Sequence, residues 1–208
     1  MSAPADLAGF AAELRSGGVV AVPTDTVYGL AVDPRVPGAS RRVFDLKRRP
    51  DAVALPVLVH SVDQAIQLAS ADSARALEAL ASRFWPGALT VVVTRGNGVD
   101  LDLGGDPTTV GLRCPDRPEL RALCELVGPL AVTSANVHGR VPCTTPGEVR
   151  ACFGADVSVL EGGACAGVPS TVVLLVGGAV ELRRPGPVTI EEIRAVLAGT
   201  TEGRINSL

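Results

Sequence analysis

Short apolar runs rich in valine and leucine alternate along the chain with segments of helical periodicity. Residues 7–14, for example, repeat apolar side chains at i, i+3, i+4 and i+7, which predicts an amphipathic helix that Gly17 and Gly18 end. On this pattern we predict helices at residues 7–14, 37–47, 62–69, 73–84, 119–127, 145–152 and 190–197. Strands are predicted at residues 19–22, 56–60, 89–94, 108–114, 130–133, 157–160, 170–176 and 179–183.

This alternation of strands and helices predicts an α/β fold. Gly177 and Gly178 separate the last two strand patterns and indicate a β-hairpin, so we expect a twisted mixed sheet flanked by helices. The chain shows neither an internal repeat nor a linker-like stretch. We therefore expect one domain over residues 1–208, with a core at about 7–198, a concave ligand cleft and a frayed tail at 199–208.

The composition restricts the possible functions. Hydrophobic residues make up 47% of the 208 residues and aromatic residues 3%, so a large core is expected but a base-stacking platform is not. The net charge of −3 argues against bulk attraction to nucleic acid. The five cysteines form no CxxC pair, and no signal peptide or membrane-spanning run is evident. We therefore expect reduced thiols, no zinc site and a cytoplasmic protein that does not enter membranes.

The densest polar stretch follows the first predicted strand. Residues 23–30 read PTDTVYGL and place Thr24, Asp25 and Thr26 directly after a proline, followed by Tyr28. Polar groups at the exit of a buried strand are where open α/β sheets bind their ligands. We expect this loop to form one wall of a ligand cleft, with Thr26 facing the ligand and Tyr28 packing in the core.

A basic cluster ends the second predicted helix. It consists of Lys47, Arg48 and Arg49, with Arg41 and Arg42 one to two turns earlier. Arginine forks and a lysine charge are common partners of phosphate groups. Cations at a helix C-terminus are also explained by the helix dipole, and the cluster taken alone favours this plainer interpretation.

Further candidates stand at the ends of predicted strands. They are His60, Arg113, Ser134, Asn136, Ser170 and Arg184. Ser134 and Asn136 suit a polar ligand, although an ordinary turn explains them equally well. Arg113 lies on an apolar strand, where an arginine is costly unless it is paired or binds an anion. A lone histidine such as His60 more often has a structural role, and Ser170 is also compatible with a plain strand edge.

Several well-known catalytic motifs are missing from the sequence. It contains neither a phosphate-binding P-loop nor a dinucleotide-binding glycine pattern, and neither a zinc-protease nor a nucleophile-elbow motif. What remains is a set of hydroxyls, amides and cations at strand ends. That inventory suits reactions that depend on positioning and charge neutralisation, of which phosphoryl-type transfer is the leading example.

The order of these segments resembles one family, the YrdC/Sua5 threonylcarbamoyl-AMP synthases. The resemblance extends from about residue 17 to residue 197, and each motif is weak alone while their ordered occurrence is specific. The motifs are PTDTVYGL at 23–30, KRRP at 47–50, PVLVH at 56–60, FWPGALTVVV at 84–93, VGLR at 110–113, SAN at 134–136, PSTVV at 169–173 and RRPGP at 183–187. The chain is similar to the short, YrdC-like form of the family.

The resemblance implies an enzyme, a nucleotidyltransferase that makes L-threonylcarbamoyl-AMP and pyrophosphate from L-threonine, bicarbonate or CO2 and ATP, with Mg²⁺ accompanying ATP. The product would feed the t6A modification at tRNA position 37, so the implied partners are the tRNA-modification proteins that use it and, weakly, tRNA. By motif position, the implied threonine contacts are Thr26, His60, Arg113, Ser134 and Ser170. The implied ATP contacts are Lys47, Arg49, Thr109, Asn136, Thr144 and Arg184, with Lys47 and Arg49 catalytic.

Two other function classes stay open at the level of the residues. A non-catalytic RNA-binding module would use the basic patch at residues 41–49, but the acidic composition and scarce aromatic residues count against it. A Ser- or Cys-dependent hydrolase would need a base beside the nucleophile, and no recognisable motif supplies one.

Overall fold

The structure, a computed structural model, describes residues 7–48 and 53–202. Within these ranges the helices are α1 (Leu7–Arg15), α2 (Ala39–Lys47), α3 (Val62–Leu68), α4 (Ala71–Phe84), α5 (Pro118–Val127), α6 (Pro146–Phe153) and α7 (Ile190–Glu202). The strands are β1 (Val20–Val22), β2 (Gly29–Val32), β3 (Val57–Leu58), β4 (Leu89–Thr94), β5 (Thr109–Arg113), β6 (Leu130–Ser134), β7 (Ser158–Val159), β8 (Thr171–Val176) and β9 (Ala179–Arg184).

The strands of the described ranges form one mixed sheet in the order β7-β1-β2-β6-β3-β5-β4-β8-β9. The pairs β7–β1, β3–β5 and β4–β8 are parallel. The other neighbouring pairs are antiparallel, including the predicted β8–β9 hairpin. A mixed sheet flanked by helices confirms the predicted fold class.

The sheet separates two apolar layers because side chains alternate between the faces of each strand. In β1, Val20 and Val22 join a layer built with α1 and α5, whereas Ala21 joins the layer on the opposite face. That second, larger layer also contains residues of α2, α3, α4, α6 and α7. Both faces of the central strands are therefore covered, which explains why those strands are continuous apolar runs in the sequence.

α6 begins at Pro146, within one residue of the start predicted at residue 145. Thr145 is the N-cap residue, and its hydroxyl accepts a hydrogen bond from the N–H of Glu148 at 3.2 Å. The same device starts α7, where Thr189 accepts from the N–H of Glu192 and Glu192 accepts from the N–H of Thr189. Such reciprocal bonds satisfy backbone donors that have no partner inside the helix.

Several boundaries differ from the prediction. β2 was missed, and because it pairs antiparallel with β1, the 23–28 loop is the connection of a hairpin. β3 ends at Leu58, so His60 lies beyond the strand. α7 continues to Glu202, so the predicted frayed tail is helical at its start, while residues 203–208 lie outside the described residues.

The glycine- and aspartate-rich segment at 95–107, between the predicted strands at 89–94 and 108–114, contains neither a helix nor a strand, apart from an isolated bridge between Arg95 and Ala69. It is nevertheless fixed to the body of the protein, since Leu103 O accepts from Leu55 N at 2.8 Å and Asp102 N donates to Pro34 O at 3.0 Å. Leu101 and Leu103 are buried in the core. No helix within the described ranges is long and apolar enough to cross a membrane.

Candidate active site

A cavity of about 330 Å³ opens beside the 23–28 loop. Its walls come from this loop and from parts of β4, β5, β6, β8 and β9. The predicted site residues in its walls are Thr26, Thr109, Arg113, Ser134, Ser170 and Arg184. The fold thus gathers polar side chains from distant parts of the sequence around one space.

The shape of the 23–28 loop is fixed by Thr24. Its hydroxyl accepts hydrogen bonds from the N–H groups of Thr26 (3.0 Å) and Val27 (3.1 Å) and lies 2.8 Å from the Thr26 hydroxyl. Side-chain bonds of this kind replace the sheet bonds that a turning backbone gives up. Tyr28 is fully buried and donates its N–H to Cys143 O at 2.9 Å, which confirms its expected packing role.

Arg113, at the end of β5, is only 5% exposed and is held by three acceptors. Its Nη2 donates to Asp25 Oδ1 at 2.6 Å, its Nη1 to Thr26 Oγ1 at 3.0 Å and its Nε to Gly87 O at 2.9 Å. Burial lowers the pKa of Arg113, and the charge of Asp25 opposes that shift. Asp25 therefore supplies the pairing that a buried guanidinium requires.

Ser170 links three neighbouring strands at the opposite wall. Its Oγ lies 2.9 Å from Thr90 Oγ1 of β4 and accepts from Arg184 Nη2 of β9 at 3.0 Å. Arg184 Nε also donates to Ser170 O at 3.0 Å. Gly186 allows this close approach, because a Cβ there would lie 2.3 Å from Thr171 N. Arg184 is thereby fixed against the cavity wall.

Ser134 and Asn136 form a turn that Lys47 holds from inside the protein. Ser134 Oγ donates to Asn136 Oδ1 at 2.6 Å. The Lys47 ammonium, in a residue only 2% exposed, donates to Ser134 O, to Asn136 O at 2.9 Å and to Asn136 Oδ1 at 3.0 Å. Ser134 lines the cavity, whereas Lys47 and Asn136 lie behind it. Lys47 thus acts on the cavity through the turn that it holds.

His60 and Thr144 were predicted for the site but do not line the cavity. His60 lies just before α3, and its Nδ1 is 3.0 Å from Oε1 of Gln64, which lies within α3. Thr144 donates its N–H (2.6 Å) and its hydroxyl (3.1 Å) to Glu148 Oε2 at the start of α6. Both sets of contacts serve helix starts. Arg49 lies outside the described residues, so its place in the site stays a prediction.

The basic cluster of the sequence is dispersed in the structure. Arg41 pairs with Asp45 at 3.0 Å, and Arg42 Nη1 donates to Gly17 O at 2.8 Å. Lys47 is buried, which leaves Arg48 exposed at the helix end. Within the described part of residues 41–49, the exposed cations are therefore Arg41, Arg42 and Arg48, and Lys47 does not belong to a basic surface that an RNA-binding module could use.

The cavity favours anions. Arg113 and Arg184 both line it and lie near enough for the charge of Arg184 to lower the pKa of Arg113 further. Among residues 7–48 and 53–202, Arg113 has a carboxylate partner while the hydrogen bonds of Arg184 go to neutral oxygens of Ser170. Asp25 offsets the charge of Arg113, so the positive potential that favours a negatively charged ligand comes mainly from Arg184.

Asp25 and Thr90 are site residues that the sequence interpretation left without a role. Asp25 stands in the PTDTVYGL motif, but its partner Arg113 is 88 residues away, so no local signal pairs them. Thr90 had a usable signal, since it is a threonine near the start of the apolar strand LTVVVT. A buried hydroxyl in such a strand needs a partner, and here that partner lines the cavity.

Comparison with known proteins identifies relatives over most of the chain. The Sua5/YciO/YrdC family model, described as telomere recombination, matches residues 12–186. A threonylcarbamoyl-AMP synthase of Pseudomonas putida (strain GB-1) is 36% identical over 178 residues, covering 85% of this chain and 95% of that protein. A threonylcarbamoyl-AMP synthase of Pyrococcus abyssi is 35% identical over 187 residues, covering 88% of this chain and 55% of that protein.

A solved structure shares both the fold and the sequence. The crystal structure of P. abyssi Sua5 complexed with L-threonine superposes with a TM-score of 0.82 at 35% identity. The match covers 91% of this chain and 56% of the Sua5 chain. The chain therefore spans about half the length of this relative but nearly all of the bacterial one from P. putida.

Proposed function

Because the chain belongs to the Sua5/YciO/YrdC family, we propose that it makes L-threonylcarbamoyl-AMP from L-threonine, bicarbonate or CO2 and ATP, with release of pyrophosphate. It would thus be a nucleotidyltransferase. The names of its relatives support this reaction, and the relative from P. abyssi has been solved with L-threonine.

The observation that carries the proposal is the pair of guanidinium groups in a cavity lined by hydroxyls. Arg113 and Arg184 suit the carboxylate of an amino acid and the phosphates of a nucleotide, the two anionic groups that this reaction joins. Thr26, Ser134 and Ser170 add hydroxyls that both donate and accept. A cleft of this kind positions two polar substrates without offering a strong nucleophile.

The chemistry requires no covalent intermediate with the protein. The threonine amine adds to CO2 and loses a proton to give a carbamate. A carbamate oxygen then attacks the α-phosphorus of ATP, and the bond to pyrophosphate breaks. The contribution of the protein is to hold both substrates in line and to stabilise the negative charge that develops on the phosphates.

The described residues divide between the two substrates. Arg113 would receive the threonine carboxylate next to Asp25 and Thr26, and Arg184 would face the nucleotide. Lys47 donates to the turn of Ser134 and Asn136. This structural role is distinct from the phosphate contact that the resemblance implies for Lys47. The catalytic roles of Lys47 and Arg49 remain predictions.

Mg²⁺ enters this proposal as the companion of ATP, since phosphate oxygens are its usual ligands and it lowers their charge. Asp25 is the carboxylate beside the cavity wall. Its Oδ1 already accepts from Arg113 Nη2 at 2.6 Å and from Asp116 N at 3.2 Å. The donor set therefore fits a cation carried mainly by the nucleotide.

The product would serve the t6A modification of tRNA, and the partners would be the proteins that consume it. This part of the proposal rests on family membership alone. It predicts that L-threonylcarbamoyl-AMP leaves the cavity as a free product and that the protein itself does not modify a bound tRNA.

The test is pyrophosphate release with each substrate withheld in turn. We expect release only when ATP, L-threonine and bicarbonate are all present, and we expect L-threonylcarbamoyl-AMP by mass spectrometry. Release that ignores threonine would contradict the proposal. RNA binding without any release would instead support the non-catalytic RNA-binding module.

A further inference from the structure

We propose that Thr90 is a positioning residue for L-threonine, because its hydroxyl sets the direction in which Ser170 donates a hydrogen bond to an anionic oxygen of the substrate. This inference rests on the proposed function, since it names a residue for the same substrate. The assignment of Ser170 to threonine comes from the family resemblance, and the role of Thr90 is argued from the contacts between β4, β9 and the start of β8.

The two hydroxyls are held together by the sheet. β4 and β8 are parallel, with Thr90 opposite Val172, and Thr171 N donates to Ala88 O at 2.9 Å just below them. This register brings Thr90 Oγ1 within 2.9 Å of Ser170 Oγ. Both residues line the cavity, and Thr90 is 5% and Ser170 3% exposed. The contact is therefore built into strand pairing.

A count of protons and lone pairs shows what the pair offers to a ligand. Each hydroxyl has one proton and two acceptor lone pairs, whereas a guanidinium only donates. Arg184 Nη2 uses one lone pair of Ser170, and the Thr90–Ser170 bond uses one of the two hydroxyl protons. Among the described residues, no further acceptor takes the second proton. One O–H group is left to donate into the cavity.

The arrangement selects an acceptor of negative charge. Either hydroxyl can donate in this pair, and the proposal takes Thr90 as the donor. Both lone pairs of Ser170 are then occupied, so Ser170 meets a ligand only as a donor. Arg184 Nη2 lies 3.0 Å from Ser170 Oγ, and its positive charge makes the Ser170 O–H group a stronger hydrogen-bond donor. A carboxylate or carbamate oxygen is the matching group on the proposed substrate. Without the Thr90 hydroxyl, Ser170 Oγ regains a free lone pair and its proton is no longer oriented.

The test compares hydroxyl removal with hydroxyl retention. Thr90→Val keeps the branched shape that suits a strand, and Thr90→Ser keeps the hydroxyl. Thr94→Val is the matched control, since Thr94 lies on the same strand and outside the cavity lining. We expect Thr90→Val to raise the KM for L-threonine about fivefold, the effect of one hydrogen bond. The kcat and the KM for ATP should change less than about twofold.

Direct binding of L-threonine, measured by calorimetry on the same proteins, separates this inference from the proposed function. Thr90→Ser and Thr94→Val should bind like the wild type. If the wild type binds threonine and Thr90→Val binds it equally tightly, or if Thr90→Ser is as weak as Thr90→Val, the role of Thr90 is overturned and the reaction stands. If the wild type binds no threonine, both are overturned. Thr90→Ala provides the same comparison should Thr90→Val not fold.

Discussion

Asp25 and Arg113 lie 2.6 Å apart at the cavity wall, with side-chain exposures of 18% and 7%. Taking both charges out of water is expensive, so the pair is not by itself a source of stability. Its effect is to make the site depend on both partners, since either one alone would leave a poorly solvated charge. Asp25 also accepts from Asp116 N and so fixes the 23–28 loop to the segment before α5.

We expect Asp25→Asn to destabilise the protein by about 2–3 kcal/mol, below the cost of breaking a fully buried pair because Asp25 keeps some contact with water. The measurement is the free energy of unfolding in urea. Asp45→Asn is the control, since Asp45 pairs with Arg41 at side-chain exposures of 61% and 66% and should lose at most about 0.5 kcal/mol. Equal losses in the two variants would contradict the structural role of Asp25.

At the scale of the element, β9 shows how a strand sorts two identical residues. The register of β9 with β8 shifts at this point, with Arg184 opposite Val172 and Leu182 opposite Val173, so Arg183 is an extra residue that interrupts the regular alternation of side chains. Arg184 lines the cavity and donates to Ser170, whereas Arg183 pairs at 3.2 Å with Glu181 of the same strand. The sequence pattern RRPGP alone does not say which of the two faces the site.

The different surroundings of Arg183 and Arg184 predict different responses to ATP. A ligand at one hundred times its Kd stabilises the folded state by about 2.7 kcal/mol. For a chain of this size, this raises the melting temperature by about 5–10 °C. We expect that shift in the wild type and in Arg183→Met, and less than half of it in Arg184→Met. A full shift in Arg184→Met would remove Arg184 from the nucleotide site.

At the scale of the whole molecule, local patterns predicted most elements but not their meeting points. The hairpin of β8 and β9 and the helix α6 were predicted from short-range patterns, and both are confirmed. β2 was not predicted because Gly29–Val32 directly follows the polar residues of the PTDTVYGL motif, and the whole motif was interpreted as a loop. Six predicted residues line one cavity, five of them selected from strand ends or the 23–30 loop and Thr109 from the family resemblance. His60, selected from a strand end, and Thr144, selected from the resemblance, instead make contacts at helix starts.

The reason lies in the strand order. β6 sits between β2 and β3, and β4 between β5 and β8, so the cavity wall combines segments far apart in the sequence. Pairings between strands that are far apart in the sequence depend on how the whole core packs, and no short sequence pattern predicts them. The ion pair of Asp25 with Arg113 and the contact of Thr90 with Ser170 depend on them, which is why both required the structure.

The central position of Tyr28 predicts how the stability of the whole molecule responds to alkaline pH. Burial raises the pKa of Tyr28 from 10.0 to about 12. The folded state therefore holds the phenol proton more tightly than the unfolded state, so its contribution to stability is complete below pH 10 and is lost as the pH rises to about 12. A shift of this size corresponds to at most about 2–3 kcal/mol. Tyr28→Phe, which loses the 3.4 Å contact to Leu160 O and the hydrogen bond from the Gly162 backbone, should match the wild type within about 1 kcal/mol at neutral pH. In urea unfolding above about pH 10, Tyr28→Phe should lose less stability than the wild type.

Burial also raises the pKa of Cys143 to about 11, so the stability of both proteins should still fall somewhat with rising pH. If the free energy of unfolding fell equally steeply with pH in the two proteins, the ionisation of Tyr28 would have no effect on stability, which would contradict the prediction.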